Sequence, residues 1–405
     1  MTVQGWTSSL LYLAFLGATL LLVTGDLPPP DTALRSQRQA VVLALAAPLL
    51  ATLFSAALRR DGYLPQFDAP LRLALAIPVF LCVARTGFDA GRWLRWVLPA
   101  SLFIVVAHRA WFGQPAHWPE DRMTTAFVDP LVFGYLSLTF GLMGLMGLST
   151  RAGRRSSLAQ GLAGLVTLGL GLALSVLSGS RSGWLAIPLV LACWLHLNLP
   201  ARWRLGPATV PLVTLAAVAL LASSAYFTVH RVQERVQEAI ADLHTYSFDK
   251  PQPETSLGYR ITFVRIAGDL VARHPLAGVG DTAHRPPAPE TDFPYATPEA
   301  VRASFHSAFH NQVVSDAVRH GLSGGLAALL LLLVPGAVCA RHLESVHPQR
   351  RRAAALGLCF AICLAVSSLS TEVVDLKYTA SLFALMTALL CGATLAQPDS
   401  RHGQD

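Results

Sequence analysis

The stretch GLAALLLLLVPGAVC, Gly325 to Cys339, is apolar on every face. A transmembrane barrel strand alternates lipid-facing apolar with lumen-facing polar residues, and a surface helix of a soluble protein keeps a polar stripe. This run has neither pattern, so it forms a helix surrounded by lipid or by other apolar helices. Apolar runs of roughly 18 or more residues recur along the chain, each long enough to cross a hydrocarbon core of about 30 Å. Of the 405 residues 53% are apolar and 14% charged, where a soluble domain averages about 25% charged. The fold class that follows is an all-α polytopic membrane protein, and an ordinary soluble enzyme is excluded.

Hydropathy predicts spans at 7–24, 39–58, 70–85, 92–108, 128–148, 158–178, 183–199, 207–228, 321–340, 353–370 and 378–396, eleven in all. Loops on the cytoplasmic side carry an excess of Arg and Lys. Three loops do so: Arg151, Arg154 and Arg155; Arg202 and Arg204; and Arg341 with Arg350, Arg351 and Arg352. They alternate consistently, which sends Gly179 to Gly183, the segment 229–305 and Thr371 to Lys377 to the outer side and the C-terminus to the inner. The first half obeys the rule less well. Arg59, Arg60 and the N-terminus fall outside on this count, unless a further span precedes residue 110. The first apolar run, Leu10 to Val23, lacks a basic n-region and is followed by Asp26 and three prolines, so it reads as a retained span. The organisation is therefore N-terminal spans over 1–228, an outer segment over 229–305, and closing spans with a short tail over 306–405.

Thirty-one basic against 24 acidic residues give a net charge of +7, and every basic residue except Lys250 and Lys377 is Arg. The arginines are dispersed among loops and form no basic block, which argues against nucleic acid as a partner. The cysteines at 82, 193, 339, 359, 363 and 391 all fall inside apolar segments without metal-ligand spacing, and read as small core hydrophobes.

The outer segment has internal order. Val232, Val236, Ile240 and Leu243 recur at helical spacing between charges, which predicts an amphipathic helix over His230 to Tyr246. A second helix is expected from Ser256, as N-cap, to about Arg273, and Pro275 ends it. Ala277 to Gly280 then makes a tight turn and Arg285 to Pro298 a loop. A third helix is expected to carry His306 and His310 on one face into the span at 321, and Asp129 before Pro130 is expected to cap a helix.

Three patterns carry the chemistry. His310 and Asn311 are followed, after nine residues, by Gly321 and, after two more, by Gly324; Ser180, Arg181, Ser182 and Gly183 join two spans; and the run Arg260 to Gly280 ends in HPLAGVG from His274. Together they resemble the O-antigen ligase and polymerase superfamily, over a layout covering roughly residues 120–396, and the His310 to Gly324 pattern resembles the ligase signature. The resemblance implies a lipid-carrier glycosyltransferase architecture, usually with twelve spans. It also implies an inverting, metal-independent activity: transfer of O-antigen from undecaprenyl diphosphate to a sugar hydroxyl of the lipid A core, at the periplasmic face of the bacterial inner membrane, without a cofactor.

That chemistry has a minimum kit. Negative charge grows on the departing diphosphate, and Arg neutralises it because its guanidinium is always charged and binds phosphate oxygens bidentately. The attacking hydroxyl is a weak nucleophile, and a histidine can take its proton as the bond forms. Arg181, Arg265 and Arg260 are the expected diphosphate ligands, with Arg265 slightly preferred; the two on one helix lie about 140° apart around its axis. His310 is the expected general base. His306, Asn311, Glu372 and Asp375 are weaker candidates for positioning substrate, and Trp111, Trp118 and Trp184 for stacking on sugars or lying in an interfacial belt. His306 and His310 at four-residue spacing also admit a metal, but no third ligand stands at a recognisable offset.

The nearest rival activity is the polymerase that joins repeat units on the same carrier, followed by a protein O-glycan transferase. A transporter or flippase is a rival of another class. Transport sites expose ionisable residues near the bilayer midplane, whereas here the unusual residues gather at the outer surface.

Overall fold

A computed structural model of the chain describes residues 3–25, 27–29, 31–112, 122–148, 158–199, 256–281, 292–306 and 309–396, with seven single positions between 216 and 244. These stretches contain α1 (Trp6–Thr24), α2 (Arg35–Arg59), α3 (Asp68–Thr86), α4 (Ala90–Phe112), α5 (Pro130–Met146), α6 (Leu158–Leu177) and α7 (Ala186–Asn198). They continue with α8 (Ser256–Arg273), α9 (Pro298–His306), α10 (Gln312–Ala340), α11 (Pro348–Ser367) and α12 (Lys377–Thr394). Among the described residues the β pairing is confined to an isolated bridge between Thr125 and Val128. Among the described residues six helices are long and apolar enough to cross a membrane, with α5 and α7 as shorter apolar helices. The chain is an all-α polytopic membrane protein. Ten of the eleven expected spans coincide with a helix. The span 207–228 and the amphipathic helix over His230 to Tyr246 lie outside the described residues.

The candidate membrane-spanning helices are predominantly apolar, and the bundle buries only one side of the outer ones. On α1, Leu13, Leu16, Leu20 and Val23 are exposed while Leu11 and Ala18 are buried, the pattern of a helix with lipid on its outer face. Between apolar helices in lipid, close backbone approach replaces the hydrophobic effect as the means of association. The α5–α6 pair is the clearest case: a Cβ on Gly171 would stand 2.6 Å from the Cα of Gly141. Asp129 caps α5 by accepting from the Leu131 amide at 2.7 Å, with Pro130 in the first turn. One core runs through α1 to α7 and α10 to α12, and five of the six free cysteines are buried. A second, smaller core joins α8 and α9 to Phe309 and Val318.

Side-chain contacts define two ends of the bundle. At one, Arg72 near the start of α3 donates to Ser8 of α1 and Ser381 of α12, at 2.8 and 3.0 Å. Arg59, at the end of α2, donates there to the carbonyls of Ala277 and Arg319 and to Gln66 Oε1. At the other end, Arg352 of α11 faces Asp89 ahead of α4 at 3.4 Å, and His342 Nε2 pairs with Gln37 Oε1 at 2.8 Å. Thus α1 begins at the end that holds Arg319, and α12 finishes at the opposite one. Residues 31–112 hold only α2, α3 and α4 with their short connections, so the further span admitted before residue 110 is not there. Arg59 departs from the loop-charge rule because its guanidinium holds two backbone carbonyls.

The expected continuous third helix requires correction. α9 ends at His306, His310 has a left-handed backbone with φ 53°, and Asn311 caps α10 by accepting from the Val314 amide at 3.1 Å. His306 and His310 therefore belong to different elements and do not share a helical face. α10 is itself broken at Gly321, where φ is 69° and ψ −163°. That region of backbone space is essentially restricted to glycine. Beyond the break the two halves fold together: a Cβ on Gly324 would strike the Asp316 carbonyl oxygen and lie 2.7 Å from the Cβ of His320. The spacing of the two glycines is thus a device for breaking a helix and closing it on itself.

Candidate active site

The break leaves carbonyls that the helix no longer satisfies, and buried carbonyls need donors. They are supplied by the turn after α8. Val279 and Gly280 donate their amides to Val318 and Arg319 at 2.8 and 2.9 Å, and Leu322 returns its amide to Pro275 at 2.8 Å. The turn fits because Gly278, with φ 61°, has no side chain; a Cβ there would strike the Arg319 carbonyl. The HPLAGVG run is a backbone splint for the short half of α10, Gln312 to His320. His320 ties the same half to α2 through Ser55 at 2.9 Å and Thr52 at 3.4 Å.

His310 stands just ahead of this splinted turn. Its half-buried ring stacks on Phe263 of α8, with centroids 5.8 Å apart and planes 20° from parallel. The chain around it is pinned: Ser315 Oγ accepts from the Phe309 amide at 3.3 Å and donates to Glu372 at 2.5 Å. Asn311 is spent on the helix cap. His306 is exposed at the end of α9.

The two arginines of α8 have different surroundings. Arg260 is exposed and precedes Phe263 by three residues, so it adjoins the ring on which His310 stacks. Arg265 follows Phe263 by two residues and points elsewhere. Its guanidinium carbon lies 3.8 Å from the centroid of the Tyr295 ring, and the Tyr295 hydroxyl donates to Asp269. Burial, and then the hydrogen bond to Asp269, push the Tyr295 phenol above its ordinary range.

Arg181 is exposed in the loop between α6 and α7. The loop docks on α5 through Ser180, whose hydroxyl donates to the Leu131 carbonyl at 3.2 Å. Gly183 faces the end of α11, where a Cβ would lie 3.4 Å from Ser367 Oγ. The next residue, Ser368, accepts the Gln312 amide at 3.0 Å. The Arg181 loop and the His310 turn thus converge on the last turn of α11. Arg122, which the sequence reading did not single out, joins them by donating to the Ser178 carbonyl at 2.8 Å. Trp184 donates to Ser175 Oγ at 3.2 Å and Trp111 is exposed, while Trp118 lies outside the described residues.

Glu372 and Asp375 belong to a network with Gln312, Ser315, Asp316 and Arg319. Gln312 Nε2 donates to Asp316 at 3.0 Å and Asp375 at 2.9 Å, while its Oε1 accepts from the amides of Val373 and Val374. Arg319 pairs with Asp375, and with Asp316 at 3.9 Å. Burial, and next the Asp375 charge, raise the Glu372 carboxyl above its ordinary range. Asp316 and Arg319 escaped notice in the sequence, although two opposite charges three residues apart ahead of a long apolar run are a signal of expensive, purposeful placement. Among the described residues no group of three or more His, Cys, Asp or Glu is arranged to hold a metal ion.

The comparisons with known proteins bear on this same region. The family model described as O-antigen ligase matches residues 163–329. An uncharacterized protein of Haemophilus influenzae is 22% identical over 315 residues, covering 76% of this chain and 74% of its own length. The matched stretch runs from α6 through the Arg181 loop, α8 and His310 to the two glycines of the break, and over it the chain is similar to the O-antigen ligase family.

Proposed function

We propose that the chain moves O-antigen from undecaprenyl diphosphate to a sugar hydroxyl of the lipid A core, by inversion and without a metal, at the periplasmic face of the inner membrane. The observation that carries this reading is the placement of His310: a half-buried imidazole braced on Phe263, one helical turn from exposed Arg260. Arg181 approaches the same bundle end through the last turn of α11. His310 takes the proton of the acceptor hydroxyl as its oxygen attacks the anomeric carbon. The bond from that carbon to the carrier breaks on the opposite side, and the diphosphate departs with the electron pair. Arg181 and Arg260 neutralise the charge that develops on it, while Arg265, stacked on Tyr295, sets the position of α8. The orientation is supported by Arg341, Arg350, Arg351 and Arg352, which mark the opposite end of the bundle as cytoplasmic.

The test is a null mutant examined by lipopolysaccharide gel. Loss of a ligase leaves bare core and polymer stranded on its carrier. A ladder reduced to core bearing one repeat identifies the polymerase instead, and an unchanged ladder removes both.

A further inference from the structure

A cavity of about 690 Å³ opens between α2, α3, the short half of α10 and the start of α12, within the roughly 300–1,000 Å³ typical of small-molecule sites. It lies at the His310 end, yet neither Arg181, Arg260 nor Arg265 lines it. Its wall carries the carboxylates of Asp68, Asp281, Asp316 and Asp375 against the cations of Arg319 and Lys377. A cleft with that balance repels a diphosphate.

Gln66 shows what the cavity lacks. The residue lines the wall and is 9% exposed; its Oε1 accepts from Arg59 at 3.1 Å, but its buried Nε2 has no hydrogen-bond partner. An unanswered buried donor is costly, and the partner it needs is an acceptor. The nearby carboxylates need donors: each oxygen of Asp375 already takes one hydrogen bond, from Gln312 and Arg319, and has a second lone pair to offer. A hydroxyl is acceptor and donor at once, and a sugar ring presents several.

We propose that this cavity binds a polyhydroxylated, non-anionic saccharide, with Gln66 Nε2 donating to it and Asp375 and Asp316 accepting from it. In the transferase reading, on which this assignment of role rests, the saccharide is the acceptor glycan. Donor and acceptor are then separated by charge: the diphosphate goes to the arginines and the neutral sugars to the carboxylates. Gln312 lines the cavity two residues beyond His310, so an acceptor seated there reaches the base along the first turn of α10.

The test uses the full-length protein in nanodiscs and two probes, a neutral hexose oligosaccharide of the outer core and undecaprenyl diphosphate, with binding measured by calorimetry. Gln66→Glu keeps the oxygen that Arg59 uses and replaces the donor by an acceptor; Ala69→Phe fills the cavity from the partly exposed first turn of α3. Thermal melts confirm that each variant is folded. Gln66→Glu should weaken saccharide binding roughly tenfold while undecaprenyl diphosphate binding stays within about twofold, and Ala69→Phe should abolish the former alone. Wild type that binds no saccharide, variants that bind it unchanged, or competition between the probes would overturn the proposal. Saccharide binding lost in both variants, in a protein whose null mutant still ligates polymer to core, would keep the cavity and remove the ligase. Ligation with an unchanged acceptor KM in Gln66→Glu would do the reverse.

Discussion

The ring of His310 lies nearly parallel to that of Phe263, 5.8 Å between centroids, although the residues come from separate elements and His310 has a left-handed backbone. A non-glycine residue in that conformation costs about 1–2 kcal/mol, so the turn is held by its surroundings: the stack, the Asn311 cap and the Ser315 contact to Glu372. Strain kept at a candidate base is consistent with a placement that matters to activity.

His310→Ala should lower turnover by about a hundred to ten thousand fold, the usual worth of general-base catalysis, with undecaprenyl diphosphate binding nearly intact. His310→Gly should be as inactive but at least as stable as the alanine variant, because glycine adopts the left-handed backbone without cost. Single-turnover rates and thermal melts in nanodiscs check both. Turnover within a few fold of wild type would shift attention to His306.

Arg181→Ala and Arg260→Ala should impair donor use far more than protein abundance. Lysine should restore activity only in part, since an ammonium keeps the charge and loses the two-pronged geometry. Arg265→Ala should act mainly through stability, because its guanidinium rests on Tyr295. Donor KM and melting temperature separate the two kinds of loss, and full activity of both Arg181→Ala and Arg260→Ala would place the diphosphate elsewhere.

Gly321→Ala should destabilise the chain by about 1–3 kcal/mol from backbone strain alone. A Cβ would also stand 2.5 Å from the Pro275 carbonyl oxygen and push the splint from α10. A lowered melting temperature with His310 chemistry lost is expected; a variant as stable as wild type would show that the break tolerates a side chain.

Glu372 predicts a pH dependence. Burial, then the Asp375 charge, raise its folded-state pKa, so the folded protein holds this proton more tightly than the unfolded chain does. Its contribution to stability is greatest below the ordinary glutamate value and declines as pH rises through the raised one. Glu372→Gln cannot ionise and keeps the acceptor for Ser315. It should melt above wild type near pH 8, and the difference should vanish near pH 4.

Transfer by purified protein should persist with chelator present and no divalent cation added, since in the proposed mechanism arginines take the place of a metal at the diphosphate. Activity lost to chelator and restored by magnesium or manganese would return the metal to the mechanism.

Much of this was legible from local sequence because the causes are local. Fifteen apolar residues from Gly325 make a lipid-embedded helix whatever lies beside them, Asp129 caps the helix that Pro130 opens, and Pro275 ends α8 through its own ring. Helical geometry alone separates Arg260 from Arg265 by about 140°. Which of them adjoins His310 depends on Phe263 meeting the turn before α10 and on Tyr295 arriving some thirty residues later to take the other face. The break in α10 is of the same kind: Gly321 permits it, but the orphaned carbonyls are satisfied only because Val279 and Gly280 come to them from a distant turn. Asp316 and Arg319 likewise acquire their meaning from Gln312 on their own helix and from Glu372 and Asp375 in the loop between α11 and α12. Periodicity and capping are settled within a few residues of chain, whereas hydrogen-bond partners and charge neighbours depend on packing between segments far apart in sequence, and it is these that assemble the site.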